Sequence, residues 1–118
     1  MNWNQLGSPQ EIDALAERSH QLPCLIFKHS TRCSISSLVQ YRLEEQWDIP
    51  SDRLELYYLD LIRFRATSNY VAETFAVHHE SPQILLIHRG ECILEASHLD
   101  IDIEEIKEVL PAPSQAAM

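Results

Sequence analysis

Apolar residues recur along the chain in two patterns, one with helical spacing and one as short continuous runs. Apolar positions three and four residues apart predict helices over about residues 9–19, 34–47, 68–75 and 103–110. Short runs of apolar and β-branched residues predict strands over 24–27, 54–61, 83–88 and 92–96. The predicted order is therefore helix, strand, helix, strand, helix, strand, strand, helix.

The first and last helices carry their own start signals. Ser8 is a hydroxyl N-cap and Glu11 completes a capping box, whereas Asp102 is a carboxylate N-cap. We expect one domain over residues 1–110. Residues 111–118 contain two prolines and no apolar periodicity, so we expect them to form a flexible tail.

The order of elements also predicts how the strands pair. Two strands joined by a helix form a right-handed parallel unit. The last two strands flank Arg89-Gly90-Glu91, where glycine adopts the positive φ of a tight hairpin, so these strands pair antiparallel. A parallel half followed by an antiparallel half predicts an α/β fold with a mixed central sheet and helices on both faces.

Composition and charge narrow the possible functions. The chain has 118 residues, 45% hydrophobic and 23% charged, which is typical of one globular domain with a buried core. Its net charge of -9 argues against binding along a phosphate backbone. No apolar run approaches the ~20 residues of a membrane helix, and the opening residues lack the pattern of a signal peptide. We therefore expect a cytoplasmic protein with no nucleic-acid or membrane partner.

Cys33 lies where a predicted strand gives way to a predicted helix. Binding sites collect at the carboxyl ends of strands in open α/β sheets. Backbone N–H groups and the positive end of a helix dipole stabilise a thiolate there, so we expect the Cys33 thiol to ionise below the roughly 8.5 of a free cysteine. The nearby basic residues Lys28, His29 and Arg32 would add to this effect. The alternative is an inert cysteine packed in the turn, but such cysteines usually lie inside elements.

Two segments near this cysteine resemble a known family. The segment Cys33-Ser34-Ile35-Ser36, with Ser81-Pro82 before a later strand, resembles the Cys-x-x-Ser site of thioredoxin-like domains. Segments 27–36 (Phe-Lys-His-Ser-Thr-Arg-Cys-Ser-Ile-Ser) and 79–83 (His-Glu-Ser-Pro-Gln) resemble, more narrowly, the YtxJ family of monothiol, BrxC-like bacilliredoxins. The resemblance extends from the first helix to Leu110 and implies a thioredoxin-like three-layer sandwich.

This resemblance implies a thiol-disulfide oxidoreductase that removes bacillithiol, a small acidic sugar thiol, from mixed disulfides on bacterial cytosolic proteins. The implied partners are bacillithiolated client proteins and a low-molecular-weight thiol, with bacillithiol as co-substrate and no metal or other cofactor. Cys33 is the expected catalytic residue, and the Ser81–Pro82 peptide bond is expected to be cis. The expected substrate-binding residues are Arg32, Ser34, Ser36, Ser81 and Pro82.

The residue after the cysteine departs from the family pattern. The family usually has proline there, whereas this chain has Ser34. Proline at the first helical position has a fixed φ and no N–H, so serine frees one donor near the sulfur and loosens the turn slightly. The change bears on the reduction potential and on thiol ionisation, while the nucleophile itself is retained.

Some polar residues have two possible roles at this stage. Arg32 and Lys28 either attract the carboxylates of bacillithiol or are ordinary exposed charges. Ser36 either donates its hydroxyl to the thiolate or caps free backbone groups. Residues 78–80 (His-His-Glu) either contact substrate or form a solvated loop.

A second thiol is not expected within disulfide reach of Cys33. Cys24 starts the preceding strand, which places it roughly 16 Å away at ~3.3 Å per residue. Cys92 starts the returning hairpin strand, roughly 20 Å from Pro82. Since a disulfide needs Cα atoms within about 7 Å, we expect one-step exchange that leaves bacillithiol on Cys33 until another thiol resolves the adduct.

Two functions of other classes stay open. Monothiol glutaredoxin-like domains hold an iron–sulfur cluster between two copies, although this chain lacks their Cys-Gly-x-Ser turn. A non-catalytic interaction domain that keeps the fold is the other alternative.

Overall fold

A computed structural model describes residues 1–112 of the chain. The elements of this range are β1 (Trp3–Gln5), α1 (Pro9–Arg18), β2 (Cys24–His29), α2 (Ser34–Gln46), β3 (Glu55–Asp60), α3 (Arg65–Phe75), β4 (Gln83–His88), β5 (Glu91–Ser97), a 3-10 turn (His98–Asp100) and α4 (Ile103–Val109). The predicted tail lies, from residue 113 onward, outside the described residues. No helix of the described range is long and apolar enough to cross a membrane.

The strands form one mixed sheet in the order β1-β3-β2-β4-β5. β2 and β1 both run parallel to β3, which confirms the predicted β-α-β unit through α2. β4 runs antiparallel to β2, and β5 antiparallel to β4, which confirms the predicted hairpin. This register places the carboxyl end of β2 beside the amino end of β4, with Gln83 opposite Lys28.

Helices cover both faces of the sheet, as the α/β prediction requires. On one face, α2 and α4 pack their apolar stripes against alternate residues of β2 and β4, among them Leu25, Phe27 and Leu86. On the other face, α1 and α3 pack against Ile26 and Leu85, which point the opposite way along the same strands. The result is the predicted three-layer sandwich.

Among the helices and strands, three differ from the prediction by more than one residue. β1 was not predicted, because Trp3–Gln5 has no apolar alternation; it is a short edge strand whose residues pair with Leu56–Tyr58. β2 continues through Lys28 and His29, both buried, where the prediction ended the strand before two polar residues. α3 begins at Arg65 instead of residue 68, since its first turn is polar in sequence.

Candidate active site

Cys33 ends the turn between β2 and α2. Its backbone N–H donates to the Ser30 carbonyl at 3.1 Å, and the Arg32 N–H donates to Ser30 Oγ at 3.4 Å. Cys33 is the N-cap of α2, with an extended backbone (φ -114°, ψ 117°) and no side-chain capping bond. The residue that carries the sulfur therefore immediately precedes the first turn of α2, whose backbone N–H groups have no helical acceptor. The predicted placement of Cys33 at a strand-to-helix turn is confirmed, and the residue is partly exposed.

The Ser81–Pro82 peptide bond is cis, as predicted. It lies beside the end of β2, because the next residue, Gln83, pairs with Lys28. The Pro82 carbonyl accepts a bond from the His98 N–H at 2.9 Å, which ties this loop to the 3-10 turn after β5. Ser81 Oγ is buried and has no hydrogen-bond partner among the described residues. The loop therefore borders the same end of β2 from which the chain turns to Cys33.

Ser36 is shielded from solvent. Among the described residues, it makes no hydrogen bond to the Cys33 sulfur. Its side chain is fully buried, and Oγ lies 2.6 Å from His29 Nδ1. The same oxygen accepts the Ser30 N–H at 3.2 Å. The structure therefore includes the backbone contact that sequence analysis considered for Ser36, together with a histidine contact that it did not consider.

The other two thiols are distant from this turn. Cys24 and Cys92 lie at the far end of the sheet, where both pair with Ile87 of β4, Cys24 from β2 and Cys92 from β5. Burial raises the pKa of Cys24 to about 12 and that of Cys92 to about 11. All three cysteines are free. Cys33 is thus the thiol that combines partial exposure with a helix N-terminus.

The comparisons agree with this geometry. A family model described as monothiol bacilliredoxin BrxC matches residues 4–106. The chain belongs to this family. This bacilliredoxin-family chain is similar to a solved structure described as a candidate oxidoreductase with a thioredoxin fold, at 28% identity and a TM-score of 0.73, over 89% of this chain and 90% of that one. It shares its fold with thioredoxin from Malassezia sympodialis, at 14% identity and a TM-score of 0.71, over 92% of this chain and 88% of that one.

The fold and the family establish a thioredoxin-like domain of the thiol-redox class. The thioredoxin of Halobacterium salinarum, as its N21Q mutant, has a similar fold at 19% identity and a TM-score of 0.60, over 90% of this chain and 85% of that one. At such identities the likeness concerns the fold alone. In this bacilliredoxin-family chain, the chemistry has to be argued from Cys33 and its surroundings.

Lys28 has neither of the two roles considered for it from the sequence. The expectation was an exposed charge or a contact with bacillithiol, but Lys28 is fully buried on the face of the sheet that α1 and α3 cover. Its Nζ donates to the Ser68 carbonyl at 3.2 Å and lies 3.2 Å from His79 Nδ1. Burial lowers the pKa of Lys28 to about 8, and burial also lowers the pKa of His79. Alternation along β2 points Lys28 away from the face that His29 occupies.

Arg32 and Ser34 flank the thiol and are both exposed. Arg32 is therefore the cation that this turn presents to solvent next to the sulfur. Ser34 is the first residue of α2 after the N-cap, the position that favours proline because the N–H there has no helical acceptor. In residues 78–80, the His78 side chain is exposed, as expected of a solvated loop, whereas His79 Nδ1 contacts the buried Lys28 Nζ, a role that was not considered from the sequence.

Two contacts of this bacilliredoxin-family site were not found from the sequence. The Ser36–His29 bond joins residues seven apart, and the period of two along β2 already placed His29 on the side of Phe27. That period, combined with the position of Ser36 in the first turn of α2, was the sequence signal from which the Ser36–His29 contact could have been predicted. The Lys28–His79 contact joins residues 51 apart and leaves no local pattern.

Proposed function

We propose that this protein removes bacillithiol from mixed disulfides on cytosolic proteins, with Cys33 as the nucleophile. The observation that carries the proposal is the position of Cys33 as the partly exposed N-cap of α2, in the turn that follows the end of β2 bordered by the cis Ser81–Pro82 loop. A helix N-terminus favours the thiolate, which is the attacking form in thiol-disulfide exchange. Membership of the monothiol bacilliredoxin family supports the choice of bacillithiol as the transferred group.

The exchange proceeds in one step at sulfur. The Cys33 thiolate attacks the bacillithiol sulfur of the mixed disulfide, a new sulfur–sulfur bond forms, and the client cysteine leaves as a thiolate that takes a proton from water. One disulfide is broken and one is formed, so the client thiol is reduced while Cys33 becomes oxidised. Cys24 and Cys92 lie at the far end of the sheet, so the adduct on Cys33 awaits an external thiol.

A second molecule of bacillithiol, or another low-molecular-weight thiol, completes the cycle. Its thiolate attacks the bacillithiol sulfur of the adduct, and Cys33 leaves as a thiolate. The product is a disulfide between the two small thiols. The protein then returns to its starting state with no internal disulfide.

Recognition follows from the groups that surround the sulfur. The exposed guanidinium of Arg32 attracts the carboxylates of bacillithiol. The backbone of Ser81 offers strand-like hydrogen bonds to an extended client segment. Ser34, as the first residue of α2, adds an N–H that the family proline lacks.

The test is transfer of the adduct, followed by intact mass. Purified protein is mixed with a bacillithiolated client, and we expect the client to lose the mass of bacillithiol while this protein gains it. Cys33→Ser should abolish the gain, whereas a Cys24→Ser/Cys92→Ser double variant should keep it as the matched control. Transfer that persists in Cys33→Ser would reassign the nucleophile.

A further inference from the structure

Gln83 is a fully buried polar residue at the start of β4, whose next four residues are apolar. Alternation along the strand directs Gln83, Leu85 and Ile87 to the face of the sheet that α1 and α3 cover, and the two apolar residues fill the core there. Burying an amide costs free energy unless its polar atoms are hydrogen-bonded. Apolar packing therefore does not account for an amide at this position.

The side-chain amide of Gln83 holds the loop that precedes the cis Ser81–Pro82 bond. Its Nε2 donates to the His78 carbonyl at 3.0 Å and to the Glu95 carboxylate of β5 at 3.1 Å. Its Oε1 accepts the Glu80 N–H at 3.3 Å. Both N–H groups of the amide and its oxygen are thus engaged, and two of the three bonds go to the backbone of the loop. The amide therefore fixes the backbone of this loop relative to β4.

Ser81 lies between two fixed points of the loop. On one side the Glu80 N–H bonds to Gln83, and on the other side the Pro82 carbonyl accepts the His98 N–H at 2.9 Å. Ser81 itself makes no backbone–backbone hydrogen bond within the part of the chain that the structure describes. The residue is partly exposed although its Oγ is buried, so its exposed atoms belong to its backbone or Cβ. The Ser81 backbone is therefore held from both sides without a backbone partner of its own there.

We propose that Gln83 is a positioning residue that fixes the Ser81 backbone for pairing with an extended client segment. A strand-like pair needs the N–H and the carbonyl of one residue to meet the partner together, so a loop that is already held loses less conformational entropy on binding. The proposal rests on the proposed function only in taking Cys33 as the reacting thiol and this loop as the docking site of the client. It concerns the client backbone, so a small disulfide without a peptide backbone should react equally well with and without Gln83.

The test compares two disulfides that release the same leaving group. One is a short cysteine peptide that carries thionitrobenzoate as a mixed disulfide, and the other is the small disulfide DTNB. In each case the Cys33 thiolate attacks, a new disulfide forms to Cys33, and thionitrobenzoate leaves as a thiolate that is followed by its absorbance. Stopped-flow traces at increasing peptide concentration separate the half-saturating concentration from the limiting rate.

Gln83→Met retains an unbranched side chain and removes the three hydrogen bonds of the amide. It should raise the half-saturating peptide concentration about tenfold at an unchanged limiting rate, because the bonds to the Ser81 backbone weaken. Its rate with DTNB should match that of wild type. Gln10→Met, at an exposed position of α1, is the matched control and should behave as wild type with both probes. Equal losses with peptide and DTNB, or an unchanged half-saturating concentration, would overturn the proposal.

Two measurements on the wild-type protein keep the proposal testable if Gln83→Met does not fold. N-methyl groups are placed in turn on the peptide N–H groups that flank the mixed disulfide, and one position should raise the half-saturating concentration severalfold. In folded Gln83→Met the same methyl group should have a smaller effect, because changes to coupled groups are not additive. If no methyl group has an effect, the client does not pair with Ser81 and the proposal is wrong.

The second wild-type measurement is hydrogen exchange of the Glu80 N–H, followed by NMR. The bond to Gln83 should slow this exchange well below the rate of a free peptide. Exchange at the free-peptide rate would show that the amide does not hold the loop, and would overturn the proposal. Neither probe contains bacillithiol, so failure of the proposed function would appear separately, as a lack of mass transfer from a bacillithiolated client.

Discussion

Lys28 offers the sharpest test of the packing, because a buried ammonium makes stability depend on pH. Burial lowers the pKa of Lys28 from 10.5 to about 8 in the folded protein. Below pH 8 the folded and unfolded chains both carry the proton, and the folded state bears the cost of burying it. Between pH 8 and 10.5 the unfolded chain keeps the proton that the folded chain has lost, so this residue makes stability rise with pH.

The size of the effect follows from the same values. A pKa difference of about 2.5, at roughly 1.4 kcal/mol for each pH unit, corresponds to about 3 kcal/mol of unfolding free energy. Other groups act in the opposite direction. Burial raises the pKa values of Cys24, Cys92 and Tyr57, so the unfolded chain loses those protons first and stability falls with pH. These contributions cancel when the unfolding free energies of wild type and a variant at Lys28 are compared at the same pH.

The assay is urea unfolding of wild type and Lys28→Met at several pH values from 7 to 10.5, under reducing conditions. Methionine retains an unbranched chain in the same space. The stability of wild type relative to Lys28→Met should rise by about 3 kcal/mol across this range. Lys107→Met, which removes an exposed lysine of α4 paired with Asp48, should show no such rise. A flat difference for Lys28→Met would refute the buried, desolvated ammonium.

Three further predictions concern thiol selectivity and backbone geometry. Iodoacetamide at pH 8 should label Cys33 alone in the native protein, because burial raises the pKa of Cys24 to about 12 and that of Cys92 to about 11. Peptide mapping that finds Cys24 and Cys92 labelled in the folded protein would contradict this prediction. Ser34→Pro should raise stability by roughly 0.4–1 kcal/mol in thermal unfolding, because proline suits the first helical position and restricts the unfolded chain; a lower melting temperature would oppose it. Ala76→Gly should also stabilise the protein, by about 0.5–1 kcal/mol, because Ala76 ends α3 with a left-handed backbone at φ 54°. A lower melting temperature of this variant in calorimetry would count against backbone strain at Ala76.

Local patterns were sufficient to predict most of the fold. The apolar run at Cys24–Phe27 and the helical spacing after Ser34 are periodic over their own lengths, so strand, helix and the turn that carries Cys33 followed directly. The cis bond at Ser81–Pro82 came from the family resemblance, because sequence chemistry alone favours trans.

The remaining differences depend on residues far apart in sequence. Lysine is almost never fully buried without partners, and the partners of Lys28 are Ser68 and His79, 40 and 51 residues away. β1 exists because β3 offers it an edge, which no property of Trp3–Gln5 reveals. The contact between Ser36 and His29 depends on β2 continuing past its predicted end to His29.

The two edge strands of the sheet affect the tendency of this protein to aggregate at high concentration. β1 is three residues long, so it offers a neighbour little backbone to pair with. β5 carries Glu91 and Glu95 on exposed positions, and the irregular register opposite Leu86 and Ile87 twists its border. Two such borders repel each other and fit poorly, so the architecture resists fibre-like stacking even though its central strands are almost wholly apolar.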